Sequence, residues 1–415
     1  MSMHYWKVTL KCTSPVCIGS GETCKKSQYI YDRNERKVYF LREEKWISFL
    51  WQNQIMDHFT QCLLKDPVHF NLYDYLNSLS TLSEKYGDIN QIIYQMKKDG
   101  VVEKEALYIN RGANDKNINN DIVRFQYDAE GNPYIPGSSL KGSLRTAIFS
   151  HVIRKNRKNF AREWSEIENI SQNLRHIEMW NKRTEPRKKR QIRKAIRDCS
   201  NQMGRVMDNL EKKIALAPCD EGKCENEKRY FQGLTISDAV LLQGGTCIVP
   251  KLDLSINKWN VHQIKGLFRE ALQADSVLEC TIGIDDDRDK MGHLGVRNFS
   301  DLQEILEEFN RFQYDMLKNP FLKNAKDELL DLLDFKKVNL RLGAGTGFLD
   351  KTLLYSLAPD KESAVAVTKA FMEKTFSEGK HGRELPISPH TIDLVYKDNY
   401  TYLMGLCHLE AKPLC

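Results

Sequence analysis

Apolar and polar side chains alternate from Tyr5 to Cys12, the period of a half-buried strand, and run into SPVCIGSGE, where Pro15, Gly19 and Gly21 mark a loop. Gln28 to Tyr31 and Lys37 to Leu41 read as two strands joined by the turn Asp32-Arg33-Asn34-Glu35. The spacing of Trp46, Phe49, Leu50 and Ile55 predicts a helix over Glu43 to Cys62, and further helix is expected over Asp74–Tyr86 and Ile89–Lys98. Ala106 to Asn110 and Ile122 to Tyr127 return to strand.

The next stretch, NPYIPGSSLKGSLRTAIFSH (Asn132 to His151), organises the rest. Pro133 and Pro136 bracket a short extended piece, and Gly137 follows as a turn. Ser138 and Ser139 are expected to cap a helix whose apolar face is Leu140, Leu144 and Ile148. A largely helical, basic stretch comes next, with Pro186 as a break. Phe231–Leu242 and Cys247–Leu254 then read as strand, His262–Ala274 as a short helix and Val277–Ile284 as strand. Ser300 is expected to cap a helix through Phe312. Lys337–Leu342, Ile392–Tyr396 and Tyr402–Glu410 complete the strands. Strands and helices thus alternate on both sides of a helical insertion, an α+β pattern in two halves. Two ferredoxin-like (RRM-like) sheets fit it, with boundaries at 1–150, 151–229 and 230–415.

The 415 residues have room for two or three domains, and 28 % charged against 41 % hydrophobic residues is ordinary for a globular protein. No run approaches a membrane span and the start lacks the apolar core of a signal peptide, so a cytoplasmic protein with no membrane partner is expected. Eleven cysteines are mostly scattered, as free thiols would be. Cys219 and Cys224 sit close together, but no second close pair follows to complete a zinc site, and no metal or cofactor is assigned. The net charge of +6 is uneven: Arg145 to Asp198 holds 16 cations and 6 acids, so the remainder of the chain is negative. Basicity this local points to a polyanion partner.

Lys141 and Arg145, four apart, share one stripe of the central helix. With two hydroxyls and several helix-start N–H groups they would suit a phosphate. A capped helix with a solvated cationic side is the bland alternative, and the residues alone leave both open. The stretch is not a Walker A loop, because Lys141 precedes Gly142. Near the C-terminus RLGAGTGFLDKT places Gly343, Gly345 and Gly347 at alternate positions, with Lys351 beyond; such glycines allow close backbone approach. Two enzymatic readings are the alternatives. A metal-dependent nuclease would use Asp285, Asp286, Asp287 and Asp289, but four acids in one short loop more often make a solvated turn. A metal-free endoribonuclease would use a histidine; none is paired in sequence, and His151 lies nearest the central helix. A third class is an adaptor that binds only protein, with the basic stretch docking an acidic partner.

SPVCIGSGE, YIPGSSLKGSLRTAI and LRLGAGTGFLDKT, in that order, resemble the RAMP superfamily of CRISPR proteins. Within it the likeness is to the fifth-subunit family of the type III-A Csm effector complex, which caps the assembly at the 3′ end of the guide RNA. FQGLTISDAVLL and LMGLCHLE sit where that family has similar segments. The resemblance implies two ferredoxin-like domains and a non-catalytic, RNA-binding role in antiviral defence and guide (crRNA) maturation. Its implied partners are guide RNA and the other Csm subunits, the backbone RAMP subunit above all, with target RNA and host nucleases as further candidates. A RAMP endoribonuclease that processes guide precursors is the alternative. Carried over by motif, the RNA-binding residues are Gly137, Ser138, Ser139, Lys141, Gly142 and Arg145 of the central helix, and Gly343, Gly345, Gly347 and Lys351 of the glycine-rich loop. Where that family commonly has His before Ile-Gly, this chain has Cys17, so no imidazole is carried to that loop.

Overall fold

The computed structural model describes residues 3–82, 87–109, 120–179, 184–215, 230–256, 261–287, 290–322, 338–375, 385–397 and 400–414. Its strands are β1 (Met3–Cys12), β2 (Gly19–Cys24), β3 (Tyr29–Asp32), β4 (Lys37–Leu41), β5 (Val102–Tyr108), β6 (Ile122–Phe125), β7 (Tyr134–Ile135) and β8 (Leu234–Ile236). They continue as β9 (Ala239–Gln243), β10 (Thr246–Ser255), β11 (Val261–Leu272), β12 (Val277–Asp285), β13 (Leu340–Arg341), β14 (Thr391–Lys397), β15 (Tyr400–Leu403) and β16 (Leu406–Pro413). The helices are α1 (Glu43–Gln52), α2 (Met56–Lys65), α3 (Leu72–Leu82), α4 (Ile89–Lys98), α5 (Gly137–Lys155), α6 (Ala161–His176), α7 (Pro186–Ala215), α8 (Phe299–Leu317), α9 (Leu354–Leu357) and α10 (Lys361–Thr375).

The strands form two sheets, one ordered β13-β16-β1-β12-β9-β7 and one ordered β2-β6-β11-β10-β5-β4-β3, with β14 and β15 extending the second from β10. The result is an α+β molecule of two curled sheets with helices, consistent with two ferredoxin-like domains. The sheets do not divide the chain at 150 and 230. The first strand, β1, lies antiparallel between β12 and β16, and β2 to β6 share a sheet with β10 and β11. Period-two alternation explains how β1 sits: Val8, Leu10 and Cys12 are fully buried, while Lys7 and Lys11 face outward. Their inner face packs in one core with Leu140, Leu144, Ala147 and Ile148 of α5 and with α6 and α8. A second core, from Trp46 and Phe49 to Ile93 and Met96, gathers α1 to α4 over β3 and β4.

Several expectations are corrected. Glu43–Cys62 is two helices, because the chain turns at Gln54 with φ +59°. His262–Ala274 is not helical: Phe268, Ala271 and Leu272 mimic a helical stripe, but the segment is β11, paired on one side by β10 and on the other by β6. Pro186 does not interrupt a helix; it begins α7, where its missing N–H costs nothing. The cap of α8 is Asn298, whose side chain accepts from the Asp301 N–H, in place of Ser300. Gly405, at φ +81°, splits Tyr402–Glu410 into β15 and β16. Cys219, Cys224 and Asp289 lie outside the described residues.

Candidate nucleic-acid interface

Helix α5 starts earlier than its serines suggest, at Gly137. Pro136 occupies the cap position and makes no side-chain cap bond, so Ser138 and Ser139 lie inside the first turn and the capping expected of them is corrected. The carboxylate of Asp238 supplies the cap from the β8–β9 connection, its Oδ1 accepting the Gly137 N–H at 2.7 Å. That acid already occupies part of the helix start that an anion would seek. Gly137 has to be glycine, since a Cβ there would stand 2.4 Å from the Ile236 carbonyl oxygen.

Helical periodicity sends the polar residues of α5 two ways. Lys141 and Arg145 point toward β8 and α7. The Lys141 ammonium donates to the Leu234 carbonyl at 2.5 Å; burial, and then the charge of Arg145, hold its pKa below the usual lysine range. Arg145 pairs with Glu211 of α7 at 2.7 Å and lies over the Phe149 ring. Ser139, Gly142, Ser143 and Thr146 form a different face, three and four residues apart, and line an open cleft of about 400 Å³. Gly343, Ala344 and Lys351 line the same cleft, as does the Cys17-Ile18-Gly19 loop. The structure therefore brings three separate sequence motifs to one cleft. Ser139, Gly142, Gly343 and Lys351 line it; Gly137, Ser138, Lys141, Arg145, Gly345 and Gly347 do not.

The glycine-rich loop is shaped by close approach. Gly343, Gly345 and Gly347 all have left-handed φ, at +91°, +89° and +98°. A Cβ on Gly343 would meet the Cys17 carbonyl oxygen at 2.3 Å, and one on Gly345 would meet Met404 Sδ at 2.6 Å, whereas Gly347 faces open space. The Ala344 N–H donates to the Cys17 carbonyl at 2.8 Å, tying this loop to the first. Beneath it, buried Arg341 donates to the Thr346 carbonyl at 2.7 Å and pairs with buried Asp350 at 2.8 Å. Burial outweighs Arg341 and lifts the Asp350 carboxyl to about 6. The Cys17 thiol is pushed up to about 11, again chiefly by burial, so it is protonated at neutral pH and a poor nucleophile.

The alternative catalytic residues lie elsewhere. His151 sits about four turns along α5, with Nδ1 2.7 Å from the Glu308 carboxylate, which also pairs with Arg154. Asp285 closes its own turn, accepting the Asp287 N–H and pairing with Lys290 at 2.5 Å. Among the described residues no group of three or more His, Cys, Asp or Glu could hold a metal ion, and no helix is long and apolar enough to cross a membrane. Sequence reasoning missed Asp238, Arg341 and Asp350. A lone acid between apolar strands was a signal for Asp238. Arg341 and Asp350 flank the glycines at the distance of one loop, which marks them only in hindsight.

The model of the RAMP superfamily matches residues 9–350. The chain belongs to that superfamily. Three proteins named CRISPR system Cms protein Csm5 are similar to it. That of Enterococcus italicus is 24% identical over 99% of this chain and 98% of its own length. That of Streptococcus thermophilus is 27% identical over 41% of this chain and 44% of its own. That of Mycobacterium tuberculosis is 22% identical over 98% and 97%. Among solved structures, a chain of the Csm-crRNA-target RNA ternary complex of a type III-A CRISPR-Cas system covers 98% of this RAMP chain and is itself covered entirely, with TM-score 0.56 and 19% identity. The crystal structure of T. onnurineus Csm5 covers 96%, is itself covered over 99%, and gives TM-score 0.53 at 16% identity. The likeness to both structures is one of fold.

Proposed function

We propose that this RAMP protein is a non-catalytic RNA-binding subunit of a type III-A Csm effector complex. In that reading it acts in the cytoplasm, caps the assembly at the 3′ end of the guide RNA and assists guide maturation. Guide RNA and neighbouring Csm subunits, the backbone RAMP subunit first, are its partners. The convergence of the three motifs on one cleft carries the reading, with full-length similarity to proteins named Csm5 beside it. The hydroxyls of Ser139 and Ser143, the Lys351 ammonium and glycine backbone suit a sugar–phosphate chain, which is held without reading bases. Lys141 and Arg145 join the site at its edge. The Arg145–Glu211 pair is partly exposed, worth at most about 1 kcal/mol, and a phosphate can displace the glutamate.

The test is binding of labelled single-stranded RNA across a salt series by the wild type, Lys351→Ala and Lys141→Ala/Arg145→Ala, followed by a denaturing gel with Mg²⁺ or EDTA. Each lost phosphate contact should lower the slope of log K against log salt by about 0.7, equally for all sequences. Unchanged slopes in both variants would remove RNA from the cleft. Discrete fragments would overturn the non-catalytic reading: Mg²⁺-dependent cleavage would implicate the Asp285 loop, and cleavage in EDTA a histidine.

A further inference from the structure

Helix α7 carries a charge pattern that its own fold does not use. Its first twelve residues, Pro186 to Arg197, hold seven cations and no acid; the first acid is Asp198. Cations at a helix N-terminus oppose the macrodipole, and like charges three or four apart repel. Three of the seven have intramolecular interactions: Lys188 pairs with Glu178 at 2.6 Å, and Lys189 and Arg193 are also engaged. Arg187, Arg190, Lys194 and Arg197 are exposed and make no ion pair among the described residues. At 3.6 residues per turn these four fall within about 80° of arc. They lie opposite the buried stripe of Ile192, Cys199, Val206 and Leu210. An ordinary solvated face mixes both signs. Here one sign runs unbroken for about 15 Å, at 1.5 Å per residue.

We infer that Arg187, Arg190, Lys194 and Arg197 form a second RNA contact, a side-chain track for the phosphates of a strand that leaves the glycine cleft. The identity of the polyanion rests on the RNA-binding reading above. Position supports the track: Glu211 ties α7 to Arg145 on α5, and the four cations lie roughly 21–36 Å back along the same helix. At about 3.4 Å per stacked nucleotide, a strand on the order of ten nucleotides long reaches both surfaces. Composition favours RNA over an acidic protein. Protein interfaces centre on buried apolar and aromatic anchors, and from Pro186 to Arg197 the apolar side chains Ile192, Ala195 and Ile196 are buried or half-buried.

The test compares wild type with Arg187→Gln/Arg190→Gln/Lys194→Gln/Arg197→Gln on a single-stranded RNA longer than that span. The salt slope should fall by about 3, at roughly 0.7 per phosphate contact. Arg190→Gln/Lys194→Gln should give half that change and guards against a folding defect in the larger variant. Glutamine keeps helix propensity, so neither variant should melt below wild type. An unchanged slope in both variants would overturn the track while leaving the cleft reading intact, and would hand the stripe to a protein partner. Failure of the wild type to bind RNA at all would overturn both readings.

Discussion

The starts of α5 and α7 are both basic, and they solve opposite problems. At α5 the first N–H and both cations have internal partners: Asp238 on the Gly137 N–H, the Leu234 carbonyl on Lys141, and Glu211 on Arg145. At α7 four cations have none among the described residues, and the helix dipole works against them. A motif recognisable in sequence therefore marks a built scaffold, whose binding capacity lies on the neighbouring face toward the cleft. Plain charge excess marks a surface that the fold leaves uncompensated. Substitutions at the first region should cost stability as well as binding; at the second they should cost only binding.

The largest effect is expected beneath the glycine-rich loop. Arg341→Met leaves Asp350 buried without its cation and should cost about 3–5 kcal/mol at neutral pH by urea denaturation. The pH dependence fixes the cause. The Asp350 pKa is raised when folded, to about 6, above its unfolded value of about 4. The folded chain then keeps a proton that the unfolded chain has lost, so this group's contribution falls as pH rises through that window and levels above it. Without Arg341 the carboxyl should titrate higher still. The variant's deficit should therefore narrow as pH is lowered toward about 6 and hold steady below. A deficit independent of pH would remove Asp350 from the explanation.

Next in size is the contrast within the glycines. Gly343→Ala combines left-handed φ with a Cβ 2.3 Å from the Cys17 carbonyl and should cost roughly 3 kcal/mol or more, as strain and clash add. Gly347→Ala has the same φ problem but open space around it, and should cost about 1 kcal/mol. Equal losses in urea midpoint would mean that close packing of the two loops does not hold the cleft.

These contrasts also show what the sequence could and could not disclose. The glycine spacing and the apolar stripe of α5 were legible because φ and helical period are local properties. So was the basic stretch, since charge survives any fold. The partner of β1 was not legible: its pairing with β12 spans most of the chain. Segment His262–Ala274 was misread because pairing on both sides outweighs a short helix-like spacing. The partners of Lys141 and Arg145 depend on where β8 and α7 come to rest. Their cations looked free in sequence for that reason alone.

A smaller cost tests the scaffold at α5. Asp238→Ala removes the distant cap of the Gly137 N–H and should lose about 1 kcal/mol, the usual worth of a capping side chain. Restoring the bond with Asp238→Asn should recover most of it. If both variants unfold at the wild-type midpoint, the helix start is held by packing alone, and the contrast with α7 weakens.

The smallest effect has the opposite sign. Arg187→Glu places an acid in the first turn of α7, where the dipole favours it, and replaces the repulsion with Arg190 by attraction. The free protein should gain about 0.3–1 kcal/mol, read as a higher urea midpoint at low salt. Salt should shrink the gain, because Arg187 and Arg190 are exposed and screening acts on both terms. RNA affinity should fall in the same variant. Stability and binding would then move in opposite directions from one side chain, which a merely solvating charge cannot produce. If the variant were less stable than wild type, the cations of α7 would have internal partners of their own, and the difference between the two helix starts would vanish.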